Sequence, residues 1–303
     1  MRTGSDYHDP VLLQACIEGL SIRPDGIYAD ATFGGGGHSR AILERLGPQG
    51  RLIAFDRDKD AWANAPADPR FTLVKADFRW MRNHLRFLRA LPVDGILADL
   101  GVSSHQFDRG ERGFSIRFDG PLDMRMDRRA HLTAADIVNG WDEARLTELL
   151  RNYGEVEGAH RVARAIVQAR TAARIGTTLQ LNAAIAPVTP RRDESGFRAQ
   201  VFQALRIAVN DELGSLEALL RQSAEVLRPG GCLAVISYHS LEDRLVKNWM
   251  RTGDLGGREH KDLYGNRIRP FEPAGSKPIV PDDAEIARNP RARSARLRIA
   301  RRT

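Results

Sequence analysis

Four aspartates, Asp30, Asp56, Asp77 and Asp99, each close a short apolar run, and a glycine-rich turn, Phe33-Gly34-Gly35-Gly36-Gly37-His38, follows the first of them. This combination can bind a nucleoside. Glycines let the backbone approach the ligand closely, and an acid about 20 residues further on can accept hydrogen bonds from ribose hydroxyls. Asp56 follows Gly36 at that spacing, so it is expected on a ribose. Gly34 and Gly36 fit the first two glycines of GxGxxG, but Ser39 stands at the third. A degenerate third position suits a ligand with no pyrophosphate at the helix start, and acids crowding a cleft suit a cation. Both features favour S-adenosylmethionine, with its sulfonium and amino group, over a nicotinamide cofactor. Asp77-Phe78 could add an acceptor for an adenine edge and an aromatic face for the ring. The plainer readings are a ligand-free turn for the loop, a helix cap for Asp56 and core packing for Phe78. Asp30 divides between bracing the loop and touching ligand.

Positioning these groups requires a parallel sheet, because ligands of such sheets sit beyond the carboxyl ends of the strands, at the switch point. The runs 26–32, 51–56, 71–77 and 94–99 read as strands separated by helical patterns, which is the βαβ signature of an α/β fold. The pattern breaks from about residue 103 to 200. A loop rich in Gly, Arg and Asp (109–128) precedes helical stretches at 133–152, 155–175 and 180–186. The reading is a helical domain, 103–200, inserted into a discontinuous domain made of 1–102 and 201–303. A long helix over 201–227, stopped by Arg228-Pro229-Gly230-Gly231, leads to a fifth strand, 232–237. Ser240-Leu241-Glu242-Asp243 has the form of a helix start with Ser240 as cap. Residues 253–290 read mostly as loop, and Arg296-Leu297-Arg298-Ile299 alternates like an edge strand.

Composition narrows the class. With 42% hydrophobic and 28% charged residues over 303 positions, the chain can bury real cores and is neither disordered nor fibrous. No apolar stretch is long enough for a membrane span and the N-terminus lacks the pattern of a signal peptide, so a cytoplasmic protein without a membrane partner is expected. Cys16 and Cys232 are isolated, which excludes a disulfide framework and a Cys/His zinc site and leaves two buried hydrophobes; no metal is expected. The net charge of +7, carried mainly by arginine, points to a polyanionic partner.

Eight motifs in order resemble one family. They are His8-Asp9-Pro10-Val11-Leu12-Leu13, Asp30 to Ser39, Asp56-Arg57-Asp58, Asp99-Leu100-Gly101-Val102-Ser103-Ser104, Arg112-Gly113-Phe114-Ser115, Asp119 to Met126, Ser237 to Arg244, and Asn289-Pro290-Arg291-Ala292-Arg293. Over nearly the whole chain the sequence resembles the bacterial MraW/RsmH proteins, which methylate N4 of a cytidine in 16S ribosomal RNA. The resemblance implies a Rossmann-like class I methyltransferase sheet, S-adenosylmethionine as cofactor, and 16S rRNA in the small ribosomal subunit as partner. The family's cofactor positions fall on Gly36, Gly37, His38, Asp56, Phe78, Asp99 and Gln106. Two departures stand out: His105 where the family more often has proline, and a short glycine-rich stretch around 253–265.

An exocyclic cytosine amine is a poor nucleophile, because its lone pair is delocalised into the ring. A site that methylates it must hold it in line and accept a hydrogen bond from it. Asp99, at the end of the fourth strand, is the candidate catalytic group, touching substrate, cofactor or both. His239 and Ser240 follow the fifth strand and could face the cleft. Arg112, Arg117 and Arg125 are candidates for RNA phosphates, against the alternative of a solvated loop. Two other functions stay open at this point: a methyltransferase with a non-RNA substrate, and a non-catalytic RNA-binding assembly factor.

Overall fold

The computed structural model describes residues 10–303, apart from the side chains of Ser104 and His105. His8 and Asp9 of the first motif lie outside the described residues. Seven strands form one sheet: β1 Ile27–Asp30, β2 Arg51–Phe55, β3 Phe71–Val74, β4 Val93–Asp99, β5 Leu227–Ser237, β6 Phe271–Pro273 and β7 Arg296–Arg302, in the order β3-β2-β1-β4-β5-β7-β6. The first five run parallel, and β7 is antiparallel to both β5 and β6. The order reverses between β1 and β4. That is the switch point of a doubly wound sheet.

The central strands are apolar on both faces, as parallel strands covered by helices must be. Ile53 and Phe55 of β2, Ile96 and Ala98 of β4, and Leu233 and Val235 of β5 enter one core. Their alternate neighbours Leu52, Leu97, Cys232, Ala234 and Ile236 enter the opposite one. The first core is completed by α3 (Met81–Phe87), α10 (Glu212–Val226) and α11 (Ser240–Thr252), through Met81, Leu85, Leu216, Leu220, Val246 and Met250. The second is closed by α1 (Leu13–Leu20) and α2 (Gly37–Leu43) through Cys16, Ile17, Leu20, Ile42 and Leu43. Cys16 and Cys232 are free and buried there.

Two compact units divide the chain: Met1–Gly101 with Leu213–Thr303, and Val102–Glu212. Among the described residues no strand of the sheet lies within the second unit. That unit holds α4 (Ser104–Asp108), α5 (Ala134–Gly140), α6 (Glu143–Gly154), α7 (Ala159–Ala172), α8 (Thr178–Ile185) and α9 (Glu194–Asn210). Capping boxes start α5 at Thr133 with Asp136 and α8 at Thr177 with Gln180, each supplying two of the hydrogen bonds a bare helix start lacks. Its core gathers Ile137, Leu146, Leu150, Val162, Ile166, Leu181, Val201 and Leu205.

Several expected boundaries move. The second junction falls after Glu212 rather than at 200, because α9 packs Phe197, Val201, Phe202 and Leu205 into the inserted unit's own core. The single helix expected over 201–227 is two, broken at Asp211 with φ 46 in the left-handed region. The stretch 133–152 is also two helices, because Asp142 accepts from the Arg145 N–H and starts α6 afresh. Arg228 to Gly231 belong to β5, whose pairing with β4 shifts from Val93↔Leu227 to Gly95↔Cys232, a bulge that absorbs the proline and glycines. Residues 253–290 are not all loop, since they hold β6 and α12 (Asp283–Arg288). β7 is not an edge strand. Its alternation arises because Leu297 faces the core while the Arg298 guanidinium meets the Asp243 carboxylate at 2.7 Å.

Candidate active site

The site grows from the ends of β1, β2 and β4. Asp30 is buried, and both its carboxylate oxygens are committed: Oδ1 accepts from the Thr32 N–H at 3.0 Å and Oδ2 from the Ser39 hydroxyl at 2.6 Å. Burial raises its pKa, opposed by the bonds from Ser39 and Thr32. Asp30 therefore braces the loop, and the serine in the third glycine position is the brace's other half. The sequence flagged Ser39 only as a missing glycine.

Asp56, just beyond β2, fastens the glycine turn from the other side. Its Oδ2 accepts from the Gly34 N–H and its Oδ1 from the Asp58 N–H, each at 2.8 Å. Asn64 Nδ2 donates to the Gly34 carbonyl at 3.0 Å, completing the clamp. Burial pushes the Asp56 carboxyl to about 6, against the pull of the two backbone donors. Each carboxylate oxygen has a second lone pair, so hydroxyl donors can still be accepted.

The turn itself needs glycine at two points. Gly34 and Gly36 have φ of 51° and 75°, left-handed values that a side chain disfavours. A Cβ on Gly36 would come within 2.9 Å of the Phe33 ring, whereas a Cβ on Gly34 would meet nothing within 4 Å. One face of the turn is packed and the other open. At Gly37 a Cβ would strike Pro10 at 2.9 Å, so the start of α2 is pressed against the N-terminal segment.

His38 is buried, with Nε2 3.0 Å from the Val11 carbonyl oxygen. A carbonyl can only accept, so Nε2 carries the hydrogen. Nδ1 is 3.9 Å from Asp99 Oδ2, too long for a hydrogen bond. His38 thus ties the loop to the N-terminal segment and lends Asp99 a polar neighbour.

Asp99 ends β4 with its N–H donated to Thr32 Oγ1 at 2.6 Å. Its Oδ1 accepts from the Tyr238 hydroxyl at 2.8 Å. Burial pushes the Asp99 carboxyl to about 6, while His38 and the Tyr238 bond pull the other way. Tyr238 lies one residue past β5, whose Ile236 pairs with Asp99 in register. No role for Tyr238 or Thr32 is legible in the sequence; the available signal was the adjacency of two strand ends, which needs the strand order.

Asp77 does not join this group. Its Oδ2 accepts from Arg57 at 2.8 Å and from the Ser215 hydroxyl at 3.0 Å, and its Oδ1 caps the turn at the Arg79 N–H. These bonds fix the loop after β3. Phe78 beside Asp77 is half-buried, packed against the core. His239, rather than Ser240, is the N-cap of α11 and makes no side-chain cap bond, while Glu242 takes the Tyr238 N–H at 2.9 Å.

Gln106 lies in the inserted unit, buried, with Oε1 accepting from the Ser103 N–H at 2.9 Å. The three candidate arginines of that unit's loop differ in burial and partners. Arg112 is 1% exposed, and its guanidinium donates to the carbonyls of Arg125 and Met126 at 3.0 and 3.2 Å. Arg125 is locked to Asp123 by two bonds of 2.8 and 2.7 Å and to the Ala130 carbonyl at 2.7 Å. Both arginines are engaged within the loop, Arg112 buried and Arg125 partly exposed. Nor is the loop simply solvated: Phe114, Leu122, Met124 and Met126 are core residues, and Asn210 bonds the Met126 N–H and the Met124 carbonyl. Only Arg117 of the three is exposed, beside the half-exposed ring of Phe118.

A glycine turn open over Gly34, the carboxylates of Asp56 and Asp99 and the half-buried Phe78 fit S-adenosylmethionine, whose sulfonium and ammonium are cationic and whose ribose offers two hydroxyl donors. No helix among the described residues is long and apolar enough to cross a membrane.

Comparison with known proteins points to one family. The sequence model of the MraW methylase family matches residues 5–303. A protein named ribosomal RNA small subunit methyltransferase H from Parabacteroides distasonis is 55% identical over 297 residues, covering 98% of this chain and 97% of the relative. Proteins of the same name from Cytophaga hutchinsonii and Flavobacterium johnsoniae are 55% and 53% identical, covering 98% and 99% of this chain and 99% of each relative. Neither a non-catalytic factor nor an enzyme for another class of substrate finds support in these matches. The chain belongs to the MraW methylase family.

Proposed function

We propose that this chain transfers a methyl group from S-adenosylmethionine to N4 of a cytidine in 16S ribosomal RNA, presented in the small subunit or a late precursor, in the cytoplasm where subunits are built. The observation that carries the reading is the juxtaposition of Asp99 with the glycine turn at the sheet's switch point, in a chain more than half identical to proteins named for methylating small-subunit rRNA.

When bound, the cofactor supplies a methyl group made electrophilic by its positive sulfur. Asp56 would accept the ribose hydroxyls, and Gly36, Gly37 and His38 would let the backbone lie against the nucleoside, with Phe78 against its ring. Asp99 then has the task of the substrate amine. With its pKa near 6 it is mostly ionised at neutral pH, so it can accept a hydrogen bond from the amine, orient it, and receive the proton the nitrogen must lose as the new bond forms. Tyr238 holds the other oxygen of Asp99 and leaves Oδ2 for this work. A base in folded RNA must leave its stack to reach such a group.

Phosphate contact in the inserted unit falls to Arg117 with Phe118 beside it, while Arg112 and Arg125 shape the loop that presents them. We read the inserted unit as the substrate-recognition domain on that basis.

The deciding assay incubates the protein and labelled cofactor with small subunits from cells lacking the modification, then maps the modified nucleotide by mass spectrometry. Label on N4 of one cytidine is expected. Label on protein, on a small molecule or on a ring carbon of the base would overturn the reading.

A further inference from the structure

Residues 258–269 form a hairpin whose tip presents two apolar side chains to solvent, with a third, Ile268, exposed on its stem. Lys261 and Arg267 pair as an antiparallel bridge, the Asp262 N–H donates to the Asn266 carbonyl at 2.9 Å, and the Ile268 N–H donates to the His260 carbonyl at 2.8 Å. The tip is a four-residue turn from Asp262 to Gly265, closed by the Gly265 N–H on the Asp262 carbonyl at 3.1 Å. Aspartate first and glycine fourth are the residues such a turn favours. The Asp262 carboxylate is consumed inside the turn: Oδ1 accepts from the N–H groups of Tyr264 and Asn266, and Oδ2 accepts from Asn266 Nδ2. The two residues left at the apex, Leu263 and Tyr264, are 102% and 90% exposed.

A tip held by this many bonds costs little further entropy on binding, and single apolar side chains this exposed contribute nothing to the chain's own core. The charges around the tip select the partner. Between residues 258 and 269 four cations, Arg258, Lys261, Arg267 and Arg269, stand against two acids, and those are engaged, Asp262 on the turn and Glu259 on Arg267 at 3.6 Å; Arg258 and Lys261 are exposed, with the Arg258 N–H on the Asp254 carboxylate at 3.0 Å. A cationic stem under an exposed aromatic ring matches single-stranded nucleic acid, in which the backbone meets the charges and an unstacked base meets the ring. An anionic membrane would want more apolar surface than Leu263, Tyr264 and the exposed Ile268 supply, and an apolar protein partner would leave the excess of cations unexplained.

We infer that this hairpin is a second RNA contact, with Tyr264 stacking on an unpaired base of the substrate RNA and Arg258 and Lys261 on its phosphates. The inference rests on the proposal that the substrate is ribosomal RNA, and the test separates the two.

Affinity for small subunits lacking the modification, and for a fluorescently labelled single-stranded RNA, is measured for the intact protein, Tyr264→Ala, Tyr264→Phe and Lys261→Glu. Methyl transfer to the same subunits and cofactor affinity are measured in parallel. Stacking of one base predicts that Tyr264→Ala loses about tenfold in RNA affinity. Tyr264→Phe should keep it, Lys261→Glu should weaken it with a shallower salt dependence, and all should keep cofactor affinity. Unchanged RNA affinity in Tyr264→Ala overturns the hairpin contact, even where methylation of subunits proceeds. Loss of RNA affinity in a protein that never methylates subunits upholds the hairpin and overturns the activity instead. Tyr264-dependent binding to anionic phospholipid vesicles, or Tyr264-dependent self-association, without an effect on RNA would also overturn it.

Discussion

The hydroxyl of Tyr238 donates to Oδ1 of Asp99 across 2.8 Å, joining the ends of two neighbouring strands that are 139 residues apart in the chain. The bond favours the ionised carboxylate, and burial opposes it. Removing the hydroxyl while keeping the ring should raise the Asp99 pKa above its value of about 6. In Tyr238→Phe the acid limb of the pH–rate profile for methyl transfer should therefore move to higher pH, with cofactor affinity near normal. A limb that stays in place would show that Asp99 does not govern it.

Burial of Asp99 also has a cost in stability that depends on pH. The unfolded chain releases this proton near 3.8 and the native chain near 6, so between these values the native state holds more protons and stability falls as pH rises. The loss is on the order of 2–3 kcal/mol, complete somewhat above pH 6. Asp56 acts in the same direction. Asp99→Asn should flatten part of the decline, measured by urea unfolding of the cofactor-free protein between pH 4 and 7.5. Identical slopes in the two proteins would contradict it.

Asp56 serves the loop and, by proposal, the ribose. Asp56→Ala should lose cofactor affinity by one to two orders of magnitude, the effect of a charge-assisted bond worth about 1.5–3 kcal/mol, with added loosening at Gly34. Calorimetric titration with cofactor reads this directly. Full affinity in a folded variant would remove Asp56 from the site.

The arginines of the loop should separate by burial. Arg112→Ala should destabilise the protein by about 2–4 kcal/mol, since it leaves the carbonyls of Arg125 and Met126 without their donor and opens a void. Arg117→Ala should leave thermal stability unchanged, weaken RNA binding and lower its salt slope by about one. The reverse pattern would return Arg112 to the RNA surface.

Much of this was legible before any coordinates. Glycines at 34 and 36, acids at 30, 56 and 99, and apolar runs before them are local features, because a strand buried on both faces must be apolar and a turn with positive φ selects glycine. Those features declared the parallel sheet, a candidate nucleoside cleft and a cationic ligand. Short or interrupted elements were not legible: β6 has three residues, one a proline, and α9 and α10 meet at a single left-handed aspartate inside a continuous apolar pattern. Periodicity needs several turns or alternations to register. The roles of charged residues were decided only in three dimensions. Arg112, Arg117 and Arg125 are alike in sequence, yet one is buried on carbonyls, one is locked to an aspartate and one faces water. Asp77 and Asp99 both follow apolar runs, but one meets Arg57 and the other a tyrosine from the next strand. Residue type sets what a side chain can bind, but which partner comes within 3 Å depends on strand order and packing between segments far apart in the chain.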